Sequence, residues 1–212
     1  MCPNVYEAVY AMAEAVNTNK EMLTDLDAAI GDADHGINMS RGFEAVKAKL
    51  GQPGNEDTAS VLKKVGMTLI STVGGASGPL YGTAFLRAAA VMQGKEGITR
   101  ELALEILSSA LQGIKDRGKA QKGDKTMLDA LEPALEAISE GIREDKGLLD
   151  CLEGACKAAE EGVAYTSTIK AMKGRASYLG DRSIGHQDPG ATSSYILLRA
   201  LTDYYRSSAP EV

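Results

Sequence analysis

Apolar residues recur along this chain at steps of three and four. Val5, Val9, Met12, Ala13 and Val16 form the first such stripe, which predicts an amphipathic helix over 4–17 with Asn4 as its cap. Leu23, Leu26 and Ile30 extend a second stripe up to Gly31, where GDADHG breaks helical composition. The same period predicts helices over 38–50, 58–73, 82–92, 99–117, 126–143, 148–172 and 192–206. Start signals reinforce two of them: Thr58 precedes Val61, Leu62 and Val65, and Thr99 precedes Glu101 and Leu102. GQPGNED, at 51–57, is a loop. No segment alternates with period two for long enough to pair as a strand, and there is no internal repeat on the scale of about 20–50 residues. The expected fold is all-α, a single domain of about eight helices in one bundle. Links between helices in bundles usually run about two to eight residues. The stretch 173–191, KGRASYLGDRSIGHQDPGA, is longer and full of Gly, Ser, Arg and Asp, which marks it as a functional loop, with a disordered surface loop as the plainer alternative.

Composition narrows the class further. With 212 residues, 44% hydrophobic and 25% charged, the chain can build one fair-sized core. Trp is absent and Phe occurs only at Phe43 and Phe85, which favours helices over an aromatic-rich sandwich. A net charge of −6 argues against a surface for direct nucleic-acid contact, which needs clustered Lys and Arg. No apolar stretch reaches the roughly 20 residues of a membrane span, and no basic cluster precedes an apolar run at the start. A cytosolic protein is expected. Cys2, Cys151 and Cys156 are odd in number and lack a metal-type spacing, so they read as reduced thiols. Glycine is the outlier: its 23 copies, about 11% against a usual level of about 7%, gather in short clusters.

Those clusters hold the candidate chemistry. Both histidines lie in Gly and Asp runs, His35 in GDADHG and His186 in GHQDPG. Asp27 projects from the last turn of the second helix, and Asp32 and Asp34 follow in the loop, able to converge with it. Three adjacent carboxylates repel one another, and an all-oxygen set selects a hard cation such as Mg²⁺ or Ca²⁺. An EF-hand register, counted from Asp27 or Asp32, fails. The plainer reading, a carboxylate capping the next helix, explains Asp34 alone. VGGASGPLYG, at 73–82, exposes backbone N–H groups just ahead of a helix and suits a phosphate, or else is a tight turn whose glycines permit close packing. It is neither a Walker A motif nor a Rossmann fingerprint. GKAQKGDKTMLDALEPA, at 118–134, adds a further Gly and Lys turn entering a helix. Together with Arg175 and Arg182 of the long loop, these are the parts of a Mg-nucleotide site without a covalent nucleophile.

IGDADHGINMSRGF, GMTLISTVGGASGPLYGTAF, GDKTMLDAL and KGRASYLGDRSIGHQDPGATSSY resemble, in order and over nearly the whole chain, the nucleotide-binding L subunits of bacterial phosphoenolpyruvate-dependent dihydroxyacetone kinases. One common family form has Gly where this chain has Ala33; Ala is small, so little change is expected there. The resemblance implies a barrel of eight antiparallel helices with ADP at one end and two Mg²⁺ ions on Asp27, Asp32 and Asp34. His35, Gly36, Ile37 and Asn38, with Ala76 and Ser77, would line the phosphates, and Gly118 and Met127 would border the base. Arg175 and the turn Asp188, Pro189 and Gly190 would close over the nucleotide as part of a lid at 173–191. The implied reaction passes a phosphoryl group from bound ATP to dihydroxyacetone held on a partner K subunit. An M subunit's phosphohistidine would restore ATP in place, so phosphoenolpyruvate is the ultimate donor. A free-standing L subunit is expected in preference to a module of a longer, ATP-dependent kinase. A second role implied by relatives is that of an ADP-loaded coregulator of a transcription factor. A Mg-dependent phosphatase, with His35 as its base, is a weaker third reading.

Overall fold

The structure is a computed structural model that describes residues 4–208; Cys2 lies outside them. All regular structure among the described residues is helical: α1 (Val5–Thr18), α2 (Lys20–Ile30), α3 (His35–Leu50), α4 (Thr58–Thr72), α5 (Ser77–Met92), α6 (Arg100–Gly118), α7 (Leu128–Arg143), α8 (Leu148–Thr166) and α9 (Pro189–Ser208), with a 3-10 segment at Arg175–Ser183. Neighbouring contacts close a ring from α3 through α9 and back by way of α1, which makes eight helices. The ninth, α2, packs on α3, α9 and the 3-10 segment. No helix among the described residues is long and apolar enough to cross a membrane.

The apolar stripes face inward. Val9, Val16, Met39, Phe43, Val46, Val65, Leu69 and Leu128 form the main core, and Ala134, Ile138, Cys156, Ala159 and Val163 a second one between α7, α8 and α9. Cys151 and Cys156 are free and buried, where desolvation pushes both thiols up. Asn4 caps α1 by accepting the Tyr6 N–H (2.9 Å), and Thr99 caps α6 through the Leu102 N–H (3.2 Å).

Several boundaries differ from the periodicity, each for a physical reason. Helix α5 begins at Ser77, not Gly82, because Gly78 and Gly82 are helix-interior positions pressed against α4. A Cβ on Gly66 would lie 2.7 Å from the Gly82 carbonyl oxygen, and one on Gly82 would lie 2.6 Å from that of Gly66. Backbone therefore meets backbone at that crossing. Helix α3 begins at His35, inside the acidic motif, because Asp27 caps it across the turn. Helix α8 stops at Thr166 rather than 172, where Lys125 takes its terminal carbonyl (2.7 Å). Helix α9 starts at Pro189: Asp188 accepts the Ala191 N–H (2.7 Å), and a proline fits the first helical position.

Alternate connectors of such a ring share one end. Those at 31–34, 73–76, 119–127 and 167–188 surround a single cleft of about 620 Å³.

Candidate functional site

The acidic wall is built at the end of α2. Asp27 is 8% exposed; its Oδ2 accepts the backbone N–H groups of Asp34 (2.9 Å) and His35 (3.1 Å). The carboxylate that caps α3 is therefore Asp27, seven residues upstream, while Asp34 at the cap position makes no side-chain cap bond. Gly31 makes room for this, since a Cβ there would fall 2.0 Å from Asp27 Oδ1. Asp27, Asp32 and Asp34 each bring one carboxylate oxygen within 4.8 Å of the others. An oxygen-only set held that close is one that could take a hard divalent ion. Ala33 crosses the turn with φ 61°, so the departure from glycine there bears on backbone conformation and not on size.

Helix N-termini line the same cleft. The first residues of α3, α5, α7 and α9 all line the cleft through His35, Ser77, Leu128, Pro189 and Gly190, with the Gly74, Gly75 and Ala76 turn between them. Their aligned dipoles make this end favourable for an anion, as do the N–H groups of Gly36, Ile37, Ser77 and Gly78, whereas those opening α7 and α9 are taken by Thr126, Met127 and Asp188. Asn38 is buried, packs against Gly74 and accepts from Arg41 (2.7 Å).

His35 is held at both nitrogens, Nε2 by Ser193 Oγ (2.8 Å) and Nδ1 by Ser77 Oγ (3.2 Å). Burial lowers its pKa, against the pull of Asp27 and Asp34. Ser193 in turn meets the Tyr81 hydroxyl (2.7 Å), which also reaches Ser194 (2.8 Å). Tyr81 is buried and its pKa is pushed up to about 12, so it stays protonated. Asp188 also lines the cleft. Although the residue is only partly covered, its carboxyl is desolvated and rises to about 7; Asp129 adds to the rise, while the Ala191 N–H and Lys125 oppose it. The far wall is apolar, from Pro79, Leu80, Ile114, Gly118, Ala120 and Met127.

The long connector supplies the fourth side. Arg175 Nη2 pairs with Asp32 Oδ2 at 2.9 Å, both side chains partly in solvent. Of the residues singled out in sequence, Asp27, Asp32, Asp34, His35, Asn38, Ala76, Ser77, Gly118, Met127, Arg175, Asp188, Pro189 and Gly190 line this one cleft. Gly36 and Ile37 do not. Gly36 lets α3 press on α2, as a Cβ there would come within 2.1 Å of the Lys20 carbonyl oxygen, and the Ile37 side chain is exposed. His186 and Arg182 are exposed and outside the lining. Sequence reasoning missed Lys125, Tyr81 and Ser193, whose partners lie 41 to 158 residues away in the chain.

Comparison with known proteins adds to this geometry. Residues 29–203 match the DAK2 domain. The chain is 48% identical over 185 residues to the "PEP-dependent dihydroxyacetone kinase, ADP-binding subunit DhaL" of Escherichia coli (strain K12), covering 87% of this chain and 88% of that one. It is 42% identical over 190 residues to the "PTS-dependent dihydroxyacetone kinase, ADP-binding subunit DhaL" of Lactococcus lactis subsp. lactis (strain IL1403), covering 90% and 91%. Among solved structures, the dihydroxyacetone kinase from C. freundii in complex with AMP-PNP and Mg²⁺ superposes with a TM-score of 0.71 at 27% identity. That likeness covers 94% of this chain and 33% of the kinase, so the chain spans about a third of that protein.

Proposed function

Because the chain belongs to the DAK2 domain family, we propose that it is the ADP-binding L subunit of a phosphoenolpyruvate-dependent dihydroxyacetone kinase, a single helical domain working in the cytoplasm. The observation that carries this reading is the meeting of three carboxylates with four helix N-termini in one cleft. A nucleotide diphosphate satisfies both halves: its oxygens accept the first-turn N–H groups left by α3 and α5, lie in the field of all four dipoles, and share a cation with the carboxylates. Two Mg²⁺ ions on Asp27, Asp32 and Asp34 would supply charge neutralisation at the phosphate oxygens.

The chain's own residues do the rest by position. His35, Asn38, Ala76 and Ser77 line the phosphates, with Gly36 and Ile37 contributing through the first-turn N–H groups of α3. Buried and neutral, His35 orients the Ser77 hydroxyl and adds no charge that would compete with a cation. Leu80, Ile114, Gly118 and Met127 give the base an apolar slot. Arg175 and the 188–190 turn close from the connector at 173–191, which excludes water from the reacting phosphate. Dihydroxyacetone stays on the K partner, so this chain aligns the donor and offers no acceptor. An M partner's phosphohistidine returns ADP to ATP in place.

A mass spectrum of gently purified protein should show bound ADP. Dialysed to remove free nucleotide while keeping bound ADP, and mixed with K and M subunits, the phosphotransferase proteins, dihydroxyacetone and phosphoenolpyruvate, the protein should yield dihydroxyacetone phosphate. A strict need for added ATP would identify an ATP-dependent module instead, and retained ADP without product would leave the coregulator reading. Neither ADP nor product would refute the proposal.

A further inference from the structure

Among the described residues Lys125 is the one lysine or arginine that is buried, at 1% exposure, and nothing in the nucleotide reading uses it. It sits in the connector before α7 with φ 61°. Its Nζ donates to the carbonyls of Thr166 (2.7 Å), Ser183 (2.6 Å) and His186 (2.5 Å), with that of Ile169 at 3.3 Å. Three ammonium protons thus meet four carbonyls. Two of these belong to the exit of α8 and two to the far end of the 3-10 segment, so one side chain joins both ends of the connector. Other bonds tie the same neck: Ala171 N–H to Ser183 Oγ (2.9 Å), Gly185 N–H to the Ser167 carbonyl (2.7 Å) and Met172 N–H to the Asp124 carbonyl (3.0 Å). Beyond the neck, 173–182 carries Gly174 and Gly180, with φ of 64° and 60°, and exposed side chains such as Tyr178.

We infer that Lys125 is a positioning residue whose ammonium locks the neck of the 167–188 connector, fixing where Arg175 meets Asp32 and leaving only 173–182 free to open. A compact ammonium with three rotatable donors suits such a carbonyl cage. Without it the Thr166 and Ser183 carbonyls would be buried and unpaired, a costly state that opens the neck to water. The inference rests on the nucleotide reading for the purpose of presenting Arg175; the lock itself does not.

Hydrogen exchange on the full chain tests it. In Lys125→Met, which fills the volume without donating, amides at 167–171 and 183–188 should exchange at least about tenfold faster than in the wild type. Those at 173–182 should exchange fast in both, and ADP should dissociate at least about tenfold faster. In Lys125→Ala, ethylammonium should restore neck protection and ADP retention, whereas tetramethylammonium, which has no N–H, should not. A purely space-filling lysine would be replaced by Met and indifferent to ethylammonium. Unchanged neck exchange in Lys125→Met, or equal effects of the two amines, would overturn the inference. If neither variant folds, Lys125→Arg, whose planar fork cannot meet the same carbonyl cage as a compact ammonium, must show the same pattern in smaller measure; unaltered neck exchange there overturns it equally. A wild type that binds no ADP refutes the nucleotide reading and leaves the neck measurement intact.

Discussion

Replacing Gly31 by Ala puts one methyl group where a carboxylate already is. The new Cβ would lie 2.0 Å from Asp27 Oδ1 and 2.8 Å from its Cγ, so the carboxylate must swing away. Its Oδ2 then releases the N–H groups of Asp34 and His35. A hydrogen bond to a charged group contributes about 1.5–3 kcal/mol; because the two share one carboxylate and water can partly replace it, the expected loss is about 3 kcal/mol. For a chain of this size that lowers the thermal midpoint by roughly 6–12 °C. The same swing removes one of the three oxygens from the acidic cluster, and Mg²⁺-dependent ADP binding should weaken about 10–100-fold. Calorimetry reads both, as thermal unfolding without nucleotide and as titration with Mg-ADP. Gly154→Ala is the control: Gly154 lies in α8, exposed, with nothing within 4 Å of a Cβ, so it should gain about 0.5–1 kcal/mol from helix propensity. The reasoning is refuted if Gly31→Ala loses less than about 1 kcal/mol, a single bond's worth, or binds Mg-ADP as the wild type does.

Other variants separate binding, strain and pH. Asp32→Asn removes an exposed ion pair with Arg175, so unfolding stability should stay within about 0.5 kcal/mol of wild type while bound ADP is lost and phosphoryl transfer stops; retained ADP with full activity would contradict the cation assignment. Ala33→Gly relieves the left-handed backbone at φ 61° and should raise stability by about 0.5–1 kcal/mol after the entropy of glycine is subtracted; a lower midpoint would show the turn to be unstrained. Asp188, with its pKa up to about 7, keeps its proton in the folded chain over a range where the unfolded chain, titrating near 3.9, has released it. Stability from this group therefore falls as pH rises from about 4 to 7. Asp188→Asn keeps a capping side chain without the titration, so its midpoint should gain on the wild type across that range and level off above it. Parallel stability curves would refute the burial argument.

The helices were legible because their apolar stripes are local and regular, and the acidic turn because Asp27, Asp32 and Asp34 lie within eight residues of one another. What the stripes hid was set by distant neighbours. Gly78 and Gly82 look like helix breakers until α4 is placed against them. The end of α8 at Thr166 depends on Lys125, 41 residues earlier. Tyr81, Ser193 and His35 come from three helices and carry no pattern at short range. Helix α9 is a different case: Asp188 followed by Pro189 is a capping residue and a first-position proline, and its signal lay inside a segment that otherwise reads as loop.

The crossing at Gly66 and Gly82 leaves no slack between α4 and α5. With bare backbone on both sides, the two helices behave as one stiff beam, and the turn carrying Ala76 and Ser77 is mounted on its end. The side chains seated beside the two backbones are those of Ile70 and Leu86, which leaves little to re-pack into a second arrangement. On the reading proposed above, whatever enters or leaves the cleft is admitted by the opposite wall, where the neck held by Lys125 carries the 173–182 span. One side of the cleft is an anvil, and the working motion is left to the other.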